Sequence, residues 1–128
     1  MLSPEQIRAI IESYIHVNNT LDTEGFVNLF AKDAAFYYVA ETSPIIGEAA
    51  TRQIAEQSII PFREMHVTIN RLFFVANGAA MFYTAQMTTQ SGQSITSDGI
   101  DVFELNEEGK IQSIRFFLDP ENFAGLVA

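Results

Sequence analysis

The sequence predicts an α+β fold: three N-terminal helices packed on one face of a strongly curved antiparallel sheet. Three observations carry this. Apolar residues recur at helical spacing as far as Pro61. Beyond Pro61 the apolar period becomes that of a strand. The strand-like half is punctuated by Asn77-Gly78, Ser91-Gly92 and Glu108-Gly109, all hairpin signals.

The first helix is marked by Ser3 as N-cap, Pro4 at the first helical position and Gln6 closing a capping box. Ile7, Ile10, Ile11, Tyr14 and Ile15 share one face. Asn18 to Asp22, "NNTLD", breaks this helix, and Asp22 caps a second one, "TEGFVNLFAKD", whose apolar face holds Phe26, Leu29 and Phe30. A short strand, "AAFYYVA", follows. A third helix runs from about Glu48 to Ile60 and stops at Pro61. "HVTINRLFFVA", "AAMFYTAQMTT", "SITSDGIDVFEL" and "KIQSIRFFL" then form a meander of antiparallel strands. No linker or repeat divides the 128 residues, a length that suits one domain, 1–128.

Composition narrows the function. Sixteen acidic residues against seven basic ones leave a formal charge of −9, which repels phosphate backbones and anionic membranes. Nucleic acid and membrane are therefore not expected as partners. The absence of cysteine excludes disulfides and thiolate metal sites. His16 and His66 stand far apart, with no metal-binding spacing, so neither metal nor cofactor is expected. No signal-peptide pattern or membrane-length apolar run occurs, and a cytoplasmic protein is the expectation. Eleven phenylalanines imply a wide apolar interior or an apolar cavity.

Asp101 is the most informative residue. In "GIDVFEL" it shares a strand face with Phe103 and Leu105, while Ile100 and Val102 face the other way. A carboxylate amid apolar neighbours is costly to ionise, so burial raises its pKa and leaves a neutral donor. The plainer reading is an aspartate at a rim or bonded to backbone. Tyr14 completes the buried stripe of the first helix; it is either a core tyrosine or a hydroxyl that needs a polar partner. His66 opens a strand, as a rim residue or a pocket acid/base. His16 belongs at the surface or an interface. Glu41 lies in the loop after the short strand, where most carboxylates are solvated.

The chain also resembles bacterial ketosteroid isomerases of the nuclear transport factor-like and SnoaL-like superfamily. The matching stretches are "SPEQIRAIIESYI", "LDTEGFVNLFAKDAAF", "IIGEAA", "FFVANGAAMFYTAQ", "GIDVFELNEEGKIQSIR" and "PENFAG". They span nearly the full length; each is loose, while their order and spacing are specific. The resemblance implies a cystatin-like, cone-shaped fold around a deep apolar pocket, and a homodimer. It also implies that Tyr14 and Asp101 form an oxyanion hole.

One position departs from the family. Its general base, an aspartate, falls on Tyr38 when "FAKDAAFYYVA" is read without a gap. A tyrosine ordinarily ionises near pH ~10 and makes a poor proton shuttle at neutral pH. The supporting tyrosine of the third helix falls on Ala55. The expected function is lyase-, isomerase- or cyclase-type chemistry on a small apolar carbonyl compound, with His66 or Glu41 as base and little steroid isomerisation. The alternatives are a non-catalytic binder of a small apolar, aromatic or phenolic ligand, and a dimerisation module with a collapsed pocket. Phe36, Tyr38, Phe82, Met87, Phe103 and Phe116 are the expected lining.

Overall fold

The computed structural model describes residues 1–38 and 43–119. Helix α1 spans Pro4–Asn19. Its capping box is formed: the Gln6 amide donates to Ser3 Oγ at 3.1 Å, and the Ser3 amide donates to Gln6 Oε1 at 2.8 Å. Ile7, Ile11, Tyr14, Val17 and Asn18 are its buried face. Helix α2, Thr23–Asn28, is capped by Asp22, whose Oδ1 accepts from the Gly25 amide at 2.9 Å. Helix α3 covers Glu48–Ser58.

The second helix is shorter than the sequence suggests. Strand β1 already runs over Phe30–Tyr37, so "AKD" is strand. Phe26, Leu29 and Phe30 fit helical spacing, but β1 pairs in parallel with strand β6, Ile111–Leu118. The Ile111 amide bonds Leu29 O at 2.9 Å, and Phe30, Ala34 and Phe36 are buried. Tertiary pairing overrides the local pattern. A two-residue strand β2, Ile45–Ile46, pairs antiparallel with β1.

The remaining strands are β3 (Phe62–Val75), β4 (Gly78–Thr89) and β5 (Ser94–Leu105). The six-stranded sheet has the order β2-β1-β6-β5-β4-β3. It is mixed rather than purely antiparallel, because β1 pairs in parallel with β6, with α3 and strands β3 to β5 between them in the chain. Two turns use left-handed glycines, Gly92 and Gly109. In the first hairpin the left-handed residue is Ala76, not Gly78. Asn77 instead ties neighbours together: its Oδ1 accepts from the Leu2 amide and its Nδ2 donates to Glu107.

The helices cover the inward face of the sheet. Their buried residues join Met81, Phe103, Leu105, Ile111 and Ile114 in one core. A smaller cluster, Phe62, Ala85, Met87 and Ile95, lies toward the far ends of β3 to β5. Among the described residues no helix is long and apolar enough to cross a membrane.

Candidate functional site

A cavity of about 330 Å³ opens against the inward sheet face, between α1, α3 and strands β3 to β6. Strand alternation decides which side chains reach it. On β5 the inward row includes Ser97, Gly99, Asp101 and Phe103; on β4 it includes Met81, Tyr83, Ala85 and Met87. Met81 pairs with Asp101 and Tyr83 with Gly99.

Asp101 is 3% exposed. Tyr14 Oη donates to its Oδ2 at 3.4 Å, long for such a bond, and its Oδ1 has no partner among the described residues. Burial pushes the Asp101 carboxyl up to about 7, against the opposing pull of the Tyr14 hydroxyl. Burial first, then the Asp101 charge, holds the Tyr14 phenol well above the usual tyrosine range. At neutral pH Tyr14 is thus a donor, and Asp101 stands near the midpoint between acid and carboxylate.

Aromatic packing fixes Tyr14. Phe103 meets its ring edge-on at 5.1 Å, and Phe26 lies tilted at 5.8 Å. Asn18, one helical turn on, is buried and donates to Tyr14 O at 2.8 Å. Its amide also pulls the Tyr14 phenol downward. Asn19 holds α1 to the edge strand: the Val67 amide donates to its Oδ1 at 2.8 Å.

The other expected residues divide. Tyr38, Met87 and Phe116 line the cavity. Tyr38 is 43% exposed, and its ring meets Phe116 at 5.8 Å. Phe36 and Phe103 are buried in the core beneath the cavity instead of lining it. Phe82 points the other way: Met81 and Tyr83 are inward, so Phe82 is outward and 39% exposed. His66 is also exposed and does not line the cavity, because the strand turns Met65 and Val67 into it. His16 is exposed, and Ala55 is core. Glu41 and the "PENFAG" tail lie outside the described residues.

Tyr83, Asn18 and Ser97 are polar lining residues that sequence reasoning missed. The register of the β4-β5 hairpin, counted back from Ser91-Gly92, puts Tyr83 on the face of Asp101. That signal was available. Among the described residues no group of three His, Cys, Asp or Glu side chains is placed to hold a metal ion.

The profile of the SnoaL-like domain family matches residues 11–114. Two solved structures share the fold. SalBIII, an epoxide hydrolase/cyclase-like enzyme in pyran ring formation in the polyether salinomycin, is 23% identical with a TM-score of 0.83, over 95% of this chain and 97% of that one. An LEH-like epoxide hydrolase of M. tuberculosis is 16% identical with a TM-score of 0.75, over 92% and 86%.

Proposed function

The chain belongs to the SnoaL-like domain family, and from that premise we propose that it holds a small, largely apolar carbonyl or phenolic compound by its oxygen, between Tyr14 and Asp101. The chemistry is of the lyase, isomerase or cyclase type. One observation carries this reading: a buried carboxyl beside a buried tyrosine hydroxyl, with Asp101 Oδ1 unpaired among the described residues, in a largely apolar cavity. A buried polar atom without a partner is costly. A ligand oxygen accepting from the protonated carboxyl and from Tyr14 removes that cost. The same two donors stabilise negative charge that develops on the oxygen during enolisation or ring closure. The long Tyr14–Asp101 contact leaves the Tyr14 hydroxyl free to turn to a better acceptor.

A second reading, binding without turnover, is supported by the described lining, which holds Asp101 as its only carboxyl and contains no histidine. Tyr38 stands where the ketosteroid isomerase resemblance puts the base, so proton transfer at carbon has no evident acceptor there. The homodimer belongs to the same proposal. Phe82, Ile100 and Phe117 form an exposed cross-strand row on the outward face, with Phe73 and Val75 exposed further along β3 beyond Arg71, which pairs with Phe82; the row is suited to a second copy of the chain.

The test is titration of phenols into the natural protein, Tyr14→Phe and Asp101→Asn. Affinity is expected to fall about tenfold or more in each variant, the effect of one hydrogen bond to a charged or strongly polarised oxygen. Equal affinity in all three proteins contradicts the reading.

A further inference from the structure

Tyr83 is inward on β4 and stands directly across from Gly99 on β5. A Cβ at Gly99 would lie 2.5 Å from Tyr83 Oη, 2.7 Å from Cζ and 3.0 Å from Cε1. The phenol therefore lies across β5, in a notch that only a glycine leaves open. Two residues along the same face of β5 is Asp101. The hydroxyl also lies within electrostatic reach of Asp101, Tyr14 and Tyr38.

Covering a strand glycine with an aromatic ring is a structural device in its own right. A phenylalanine would serve it equally. The hydroxyl is what needs explaining. It makes no hydrogen bond among the described residues, yet it is not sealed in: the one enclosed unpaired side-chain atom among them is Asp101 Oδ1. Tyr83 Oη therefore faces the cavity, whose lining holds the apolar Met81, Phe116 and Leu118 as well as the polar Tyr38 and Ser97. A hydroxyl open to the cavity and without a protein partner is available to bond a ligand oxygen in place of water. Burial also keeps the phenol protonated, so it is a donor throughout the ordinary pH range.

We propose that Tyr83, seated in the Gly99 notch, determines specificity by bonding a second oxygen of the ligand. The compound is then a hydroxyketone, diketone or dihydroxyarene rather than one with a single oxygen. This rests on the Tyr14–Asp101 reading, which supplies the seat of the first oxygen.

The test compares phenol with catechol, resorcinol and hydroquinone by calorimetric titration below neutral pH, against the natural protein, Tyr83→Phe and Gly99→Ala. Folding of each is checked by circular dichroism. At least one dihydroxybenzene is expected to bind the natural protein about five- to tenfold tighter than phenol, beyond the roughly twofold statistical advantage of two equivalent oxygens. That ratio, taken within each protein, is expected to fall to the statistical value in Tyr83→Phe. It should fall likewise in Gly99→Ala, where the new methyl pushes the ring out of its notch. If Gly99→Ala does not fold, Tyr83→Phe alone decides. A statistical ratio for every isomer in the natural protein overturns the proposal, as does a preference that survives in Tyr83→Phe. Absence of all phenol binding overturns the Tyr14–Asp101 reading itself, and this inference with it.

Discussion

Phe82 and Tyr83 are neighbours on β4, and Ile100 and Asp101 are neighbours on β5, yet their burial reverses the ordinary pattern of a sheet. Here the carboxyl and the phenol face inward, while Phe82 and Ile100 face outward. Toward the far end of the same two strands the pattern is ordinary. Ala85, Met87 and Ile95 are buried, and Thr84 and Asp98 face outward, joined by a 2.6 Å bond from Thr84 Oγ1 to Asp98 Oδ1. The ordinary end is explained by stability alone. The reversed middle violates it on both faces at once, and such local violations mark functional surfaces. Inside, the violation is the candidate ligand site; outside, it is the apolar row proposed for a second copy.

The largest expected effect comes from the inward half of the reversal. The folded state raises the Asp101 pKa from 3.8 to about 7, so between those values the native protein binds more protons than the unfolded chain. Stability from this group is fully present below pH ~3.8 and lost as pH rises to about 7, a change of about 4 kcal/mol. Denaturant unfolding across pH 4–8 should show this fall in the natural protein. In Asp101→Asn the fall should be absent.

Next is the proton shuttle, for which the described lining offers no carboxyl besides Asp101. The natural protein should isomerise a small β,γ-unsaturated ketone only slowly. Tyr38→Asp places a carboxylate on the cavity side of the chain after β1. General-base catalysis supplies ~10²–10⁴-fold, but a misplacement of about 1 Å costs ~10²-fold, so a rise of roughly 10- to 100-fold is expected. Initial rates of Tyr38→Asp and Tyr38→Ala decide it: equal rates would mean that Tyr38 is not at the base position.

The outward half gives the smaller effects on the folded chain. Ile100→Glu should convert a dimer to a monomer in sedimentation, while changing the stability of the single chain by only about 0.5 kcal/mol. A natural protein that is monomeric at high concentration would show that the outward row has another use. The smallest effect on the site is that of Thr84→Val at the ordinary end. It removes exposed hydrogen bonds and should cost no more than about 1 kcal/mol, with phenol affinity unchanged.

Much of this was legible in the sequence, for physical reasons that differ by element. Tyr14 could be assigned to the buried face of α1 because a capped amphipathic helix has one readable stripe. Asp101 could be assigned to the inward face because it shares strand parity with Phe103 and Leu105, and its hairpin fixes the register. Phe82 was misassigned because "AAMFYTA" is apolar or aromatic on both faces, and period 2 then carries no information. In β3 a register shift between Ile69 and Arg71 breaks the parity on which the facing of His66 depends. The parallel pairing of β1 with β6 joins segments far apart in the chain, which no local pattern reports. Tyr83 was overlooked because its significance depends on the missing side chain opposite it.

The central claim is that Asp101 is a buried acid that donates to a ligand oxygen. Its most direct test is the titration of the Asp101 carboxyl carbon by NMR in protein labelled at aspartate, with Asp101→Asn identifying the resonance. The account predicts a midpoint at about 7 in the free protein, moving upward when a neutral carbonyl ligand that accepts from the protonated form is bound. A midpoint in the ordinary carboxylate range near ~3.9, or one that does not move on binding, would contradict it.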